Sequence, residues 1–248
     1  MKVGIKTFTD KEGYDYMSKV IDHCDFIEIL VVPDDEIWKQ FRDYDIPITI
    51  HVAHQRFGSN PAMPGSEKRS HQCTQMAIDA ADYFGSKDIV VHPGNMTIHE
   101  NRPLDLDIKD GDKRAVDFLK RYNEPRFRIE NLPTMGKKAE LGTYPKEIRK
   151  FMKELKCGFC FDFSHAVLSC PWIGIGYREI VNEFMKLKPK YFHICGGSIN
   201  GQYDHQDLGK GDFDVDFFKS LLPKDAKVIL ETPPNAKTHI EDIRYIKS

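Results

Sequence analysis

Eight short runs of β-branched and aromatic residues, each followed by a longer amphipathic stretch, constrain this chain more than any other feature. The runs are 2–8, 25–32, 46–51, 88–92, 127–131, 158–162, 191–195 and 227–231. Helices are predicted between and after them, over 11–22, 35–42, 67–84, 112–122, 145–155, 176–187, 213–221 and 238–247. The clearest follows Ser66, a residue suited to an N-cap. There Cys73, Met76, Ala77, Ala80, Ala81 and Phe84 recur on one helical face, and Gly85 ends the pattern. Strands that alternate with helices build a parallel sheet, because each parallel connection needs a crossover. The run Phe26-Ile27-Glu28-Ile29-Leu30-Val31-Val32 is mostly apolar, as strands covered on both faces are. Eight such units in 248 residues match a (β/α)8 barrel, which needs about 250. A doubly wound open sheet is the competing arrangement. No linker or low-complexity tract interrupts the chain, so 1–248 reads as a single α/β domain.

Composition narrows the function classes. A formal net charge of −2 advertises neither nucleic acid nor an anionic membrane. No apolar run approaches the roughly 18 residues of a membrane span. The opening Met1-Lys2-Val3-Gly4-Ile5-Lys6 is too short and too charged for a secretory signal. The six cysteines, Cys24, Cys73, Cys157, Cys160, Cys170 and Cys195, are scattered. They read as reduced thiols, and the expected compartment is cytoplasmic. Cys157-Gly158-Phe159-Cys160 lacks the second pair that a structural zinc site wants, so it reads as two cysteines entering a buried strand.

Metal-capable residues fall where a barrel would gather them. His51 lies at the end of the third run, His92 the fourth, Glu130 the fifth and Asp162 the sixth. His193 lies on the seventh and Glu231 ends the eighth. Barrel closure brings all these strand ends to one rim, the C-terminal face on which such barrels carry their active sites. The loop stretches 57–66, 93–103 and 195–212 follow strand ends and belong to the same face. A charge pointed into a barrel mouth costs several kcal/mol unless it is paired or bound to metal. Singly, each residue could be a satisfied polar group; carboxylates mixed with imidazoles on six strands point to a metal cage.

Further residues extend the set. His165 stands just beyond Asp162, and His205 sits in the glycine-rich stretch Tyr203–Asp212, a loop that could close as a lid. His54, three residues past His51, is a candidate substrate contact. Glu28 on the second run is either a substrate contact or half of an ion pair inside the barrel. His23, His71, His99 and His239 fall on helices or outer loops and are expected to be solvated. Trp38 is expected to pack a helix rather than stack on a base.

His92-Pro93-Gly94, Glu130-Asn131, Asp162-x-x-His165, His193 and His205-x-x-x-Gly209-x-Gly211 together resemble the xylose-isomerase-like barrel superfamily. That superfamily includes sugar isomerases and epimerases and endonuclease IV. The resemblance runs from the first strand to Glu231, and it implies two chemistries.

In the isomerase and epimerase branch it implies one metal held by Glu130, Asp162, His193 and Glu231. Glu130 and Glu231 would move protons next to a carbonyl, while His165 positions a hydroxyl or a water. Here Glu28, His54, His92 and His205 would bind substrate, a small carbohydrate or sugar phosphate. This reading is placed first.

In the endonuclease IV branch the resemblance implies up to three zinc ions and hydrolysis of a phosphodiester in abasic-site DNA. His92, Glu130, Asp162, His165, His193, His205 and Glu231 carry over by motif, and His51 fits more loosely. The ninth position, an Asp in the family, is Tyr203 here, with Asp204 next to it. The stretch Val32-Pro33-Asp34-Asp35-Glu36 sets three carboxylates where DNA would be gripped, which leans against nucleic acid. Mixed oxygen and imidazole ligation suits Zn²⁺ or Mn²⁺, with Mg²⁺ or Co²⁺ as alternatives, at one to three ions per chain. Nothing in the sequence favours a membrane partner, and it leaves the oligomeric state open.

Overall fold

The computed structural model describes every residue except 34–35, 98–103, 136–137 and 201–203. The element order opens with β1 (Lys2–Phe8), α1 (Lys11–Met17), β2 (Phe26–Val31) and β3 (Ile48–Val52). Next come α2 (Glu67–Phe84), β4 (Ile89–Val91), β5 (Asn95–Thr97), α3 (Leu104–Lys120) and β6 (Phe127–Glu130). They are followed by β7 (Lys138–Glu140), α4 (Pro145–Leu155), β8 (Gly158–Asp162), α5 (Phe163–Ile173) and α6 (Tyr177–Met185). The chain ends with β9 (Tyr191–Ile194), α7 (Val215–Leu221), β10 (Lys227–Leu230) and α8 (Ala236–Lys247). Strands β1, β2, β3, β4, β6, β8, β9 and β10 pair in parallel and close into a barrel. The seam is β1 on β10, with Lys2 opposite Lys227 and Ile5 opposite Leu230. The expected (β/α)8 architecture is therefore observed, and the open sheet is excluded.

The outer layer departs from expectation in four places. The segment predicted as a helix over 35–42 is a 3-10 turn, Ile37–Tyr44. Its Trp38 is buried and packs edge-on against Tyr83 and Phe84 at the end of α2, as a packing role requires. The predicted helix 11–22 stops at Met17 and gives way to a short 3-10 turn, Ile21–His23. An antiparallel hairpin, β5 with β7, sits outside the barrel and was not anticipated. Helix α5 also escaped notice: its sequence FSHAVLSCPWI is apolar all round and contains Pro171, so it shows no amphipathic period. It is buried from Phe163 to Cys170, with Phe163 stacked on Phe192 and Phe218.

The barrel's N-terminal end closes on an ion cluster. Asp88 accepts from Arg128 Nε at 2.7 Å and from Lys227 Nζ at 2.6 Å. Cys157 and Cys160 are free thiols, buried at the start and middle of β8. Among the described residues no helix is long and apolar enough to cross a membrane.

Candidate metal centre

The loops after the strands are shaped by a few local ties that aim the rim side chains. Asn131 pairs with the Asp162 backbone, accepting from its N–H at 2.8 Å and donating to its carbonyl at 2.9 Å. This locks the end of β6 to the end of β8 and fixes Glu130 beside Asp162. Asp162 is also the N-cap of α5: its Oδ1 accepts from the His165 N–H at 2.8 Å and the Ser164 hydroxyl at 2.7 Å. One turn of helix thus swings His165 back over the rim. Beyond His92, Gly94 has φ +100, and a Cβ there would stand 2.2 Å from Asn60 Oδ1. Only glycine lets Asn60 tie the Asn95 backbone to the loop after β3.

Glu130 stands at the centre, and its two oxygens face two different sets of imidazoles. Oε2 lies 3.2 Å from His51 Nε2 and 3.1 Å from His92 Nε2. Oε1 lies 3.3 Å from His165 Nδ1 and 3.4 Å from His193 Nδ1. Next to His193, Glu231 Oε1 is 2.8 Å from the same Nδ1, and Glu231 Oε2 is 3.0 Å from His205 Nε2. The donor atoms form four overlapping groups in which all lie within 4.8 Å of one another. These are Glu28, His51, His193 and Glu231; His51, His92 and Glu130; Glu130, Cys160 and His193; and Glu130, Asp162 and His165.

The quartet expected to hold one ion, Glu130, Asp162, His193 and Glu231, does not form one such group. It is spread over three, joined through Glu130 and His193. Asp162 contributes to only one, since its Oδ1 is committed to the helix cap.

The tautomers test whether a cation fits. His51 Nδ1 donates to the Val52 carbonyl at 2.8 Å, and His92 Nδ1 to Gln55 Oε1 at 3.2 Å. With Nδ1 donating, each ring turns its Nε2 toward Glu130 Oε2. At His193, Nε2 donates to Glu28 Oε2 at 3.1 Å, which turns Nδ1 toward Glu130 and Glu231; these carboxylates favour a protonated ring, so a proton stands where a cation could. That Nδ1 is buried without a hydrogen-bond partner. Ring nitrogens and carboxylates that converge this way repel unless a proton or a cation lies between them, and each ring is oriented through its other nitrogen, as in metal sites. The donor set suits a borderline divalent ion.

Charge follows the same logic. Burial works against ionising Glu130, but His92, His193 and His165 outweigh it and hold its pKa well below the usual range. Glu231 is likewise held low, by Lys6, His193 and His205 against its burial. Burial pulls His92 down to about 4, against the pull of Glu130, so it stays neutral. Burial also disfavours an imidazolium at His193, yet Glu28, Glu231 and Glu130 raise its pKa well above the ordinary value. His165 is pushed up to about 9 by Asp162 and Glu130 despite its burial.

Several expectations change on sight of the geometry. Glu28 was expected as a substrate contact, but it is fully buried beneath the rim. Its Oε2 accepts from Tyr191 and His193, so it orients His193 and cannot reach a substrate. His239 was expected to be solvated. It is buried, with Tyr16 on Nδ1 and the Thr232 carbonyl on Nε2, and it ties α1 to the segment after Glu231. His205 and Asp204 join none of the donor groups. His205 is held between Asp204 Oδ1 at 2.8 Å and Glu231 at 3.0 Å. The lid expected around His205 is pinned here by backbone bonds between Gly196 and Gln206 and between Asp212 and Gly197. Tyr203, Asp34, Asp35 and His99 lie outside the described residues.

Sequence reasoning missed two residues. Lys6 Nζ lies 2.6 Å from Glu231 Oε1 and 3.8 Å from Glu28 Oε1. A lysine inside a strand covered on both faces was the available signal. Cys160 shares a donor group with Glu130 and His193, but burial pushes its thiol pKa far above the ordinary value. A cleft of about 450 Å³ opens above the centre, lined by Lys6, His54, His92, Glu130, His165 and Glu231 among others. His54 stacks on His92 at 5.0 Å, and Arg56 and the exposed Phe8 stand at the mouth. A larger cavity of about 780 Å³, between α1 and the segment after β10, shares Lys6, Phe8 and Thr232 with that cleft.

The same architecture recurs in known proteins. A probable endonuclease 4 from Thermoplasma acidophilum is 25% identical over 225 residues, which cover 84% of this chain and 75% of that relative. Among solved structures, a D-tagatose 3-epimerase-like protein superposes with a TM-score of 0.75 at 21% identity, covering 100% of this chain and 96% of its own. Endonuclease IV from Thermus thermophilus superposes at 0.69 and 18% identity, covering 100% and 98%. At such identities the two structures share the fold, and their names point to different chemistries. The model of the xylose isomerase-like TIM barrel matches residues 8–248, and this chain belongs to that family.

Proposed function

We propose that this protein is a divalent-metal-dependent phosphoester hydrolase of the endonuclease IV kind, with two ions sharing Glu130. One observation carries the reading: the two oxygens of Glu130 address separate imidazole sets, His51 with His92 and His165 with His193. A single-metal proton-transfer enzyme leaves His51 without a task and uses His92 only as a substrate contact. Bound there, divalent ions would activate water and neutralise the charge on a phosphate. Charge balance supports the same choice. Glu28, Glu130, Asp162 and Glu231 are all buried, and Lys6 is the one Lys or Arg paired with them among the described residues. Counting Lys6 and a protonated His165 against these four carboxylates, one divalent ion leaves the centre about neutral, and two leave it positive and suited to an anion.

The chain's own residues supply the rest. Glu130 would be shared between the ions, His51 and His92 would hold one and His193 with Glu231 the other, while Glu28 steers His193. His165 commits Nδ1 to the Asn131 carbonyl at 2.8 Å, which leaves Nε2 for the cleft it lines. Its raised pKa suits donation of a proton to a leaving oxygen. His54 and Arg56 line the approach. Among the described residues Asp204 and His205 join no donor group, so the proposal places the two ions on Glu130.

A sugar isomerase or epimerase, the reading placed first on the sequence, becomes the second here. It is favoured by Glu130 and Glu231 facing a single cleft of about 450 Å³, a volume near that of one small ligand. The test is to reconstitute the protein with Zn²⁺ or Mn²⁺ and assay two substrates, an abasic-site oligonucleotide and a set of free ketoses. Strand cleavage that needs both the metal and Glu130 is expected. Ketose epimerisation without cleavage would replace the proposal with the second reading.

A further inference from the structure

The two sides of Glu130 are unequal. Around His51, His92 and Glu130 Oε2 no ammonium or guanidinium group intervenes among the described residues. On the other side Lys6 Nζ holds Glu231 Oε1 at 2.6 Å, and that same oxygen lies 2.8 Å from the unpartnered His193 Nδ1. Lys6 is fixed in β1, in register with Glu28 on β2, and its side chain is only 16% exposed. Lys6 donates to Glu231 Oε1 while His205 holds the other oxygen, Oε2; Glu28 Oε2 accepts from Tyr191 and His193.

We propose that Lys6 is a built-in competitor for the cation position formed by His193 and Glu231. The protein then loads its ions in order, tightly at His51–His92–Glu130 and more weakly where Lys6 must surrender Glu231. The physical cause is twofold. A ligand already ion-paired must be released, and a resident positive charge a few ångströms away repels an incoming divalent ion. This rests on the two-cation reading of Glu130, though not on the reaction.

Metal-stripped protein is titrated with Zn²⁺ against a chelating dye, and bound metal is counted by elemental analysis. The wild type is expected to bind two ions, the second at least about tenfold more weakly. In Lys6→Gln and Lys6→Met the weak class tightens by at least about tenfold while the tight class changes little; Lys6→Arg keeps the wild-type order. His92→Ala, which spares Lys6, removes the tight class and leaves the weak one. This holds the inference open to refutation should the Lys6 variants not fold. Two ions whose affinities ignore Lys6 substitution overturn the inference and leave the hydrolase reading standing. One ion in the wild type and two in Lys6→Gln uphold it and overturn the two-ion reading of the natural chain. A single ion in every form overturns both.

Discussion

The two ends of the barrel treat buried charge in opposite ways. At the N-terminal end, Asp88 is buried but pairs with Arg128 and Lys227 at 2.7 and 2.6 Å. That cluster is complete as the chain folds. At the C-terminal end four carboxylates are buried, Lys6 pairs with two of them, Glu28 and Glu231, and imidazoles crowd Glu130 among the described residues. Interiors tolerate charge only when it is compensated, and at the mouth these groups are arranged so that they could hold a metal ion. One end holds the barrel together; on the proposed reading the other is built to receive a cation.

The largest expected effect separates the ends directly. Ligand that binds only the folded state at a thousandfold its Kd adds about 4 kcal/mol. Stripping metal with EDTA should therefore lower the melting temperature by about 10 °C for each tightly held ion. Glu130→Gln should abolish that difference along with activity. A Glu130→Gln protein that kept full activity would show that the mouth is not the site.

Asp88→Asn should cost about 2–3 kcal/mol, because it leaves Arg128 and Lys227 unpaired in a half-buried place. The loss should be the same with and without metal, read by chemical denaturation. A metal-dependent loss would mean that the two ends are coupled.

Glu147 shows a third way to settle a buried carboxylate. It sits at the start of α4, its Oε2 accepting from the Gly142 and Tyr144 N–H groups. Burial raises its pKa to about 7, against the help of the Tyr144 N–H. The folded state therefore holds this proton more tightly than the unfolded chain. Its contribution is full below the ordinary glutamate pKa and is lost as pH rises through about 7. Between pH 5 and pH 8 the wild type should lose about 2 kcal/mol more than Glu147→Gln. Parallel pH profiles of the two would contradict this. The smallest effect belongs to Asp225→Asn. Its pair with Lys190 is exposed, so no change in melting temperature is expected.

Much of this was legible in the residues because barrel geometry converts strand order into neighbourhood. His51, His92, Glu130, Asp162, His193 and Glu231 were found by their place at strand ends, and the structure brings them to one rim. Their distribution was not legible. Nothing in the spacing says that Glu130 divides its oxygens between two histidine pairs, or that Asp162 spends one oxygen on a helix cap. Glu28 and His239 were misplaced because burial depends on which way a strand or helix face turns. Helix α5 was missed for the same reason: a helix packed on all sides has no polar stripe to mark its period. Lys6 was overlooked because its carboxylate partners Glu28 and Glu231 lie 22 and 225 residues away in the chain.

The shared carboxylate is tested most directly by anomalous diffraction from crystals soaked in saturating Zn²⁺ or Mn²⁺. Two peaks are expected, one on each oxygen of Glu130, the first also touching His51 and His92 and the second His193 and Glu231. A single peak away from His51 and His92, or none in contact with Glu130, would contradict it.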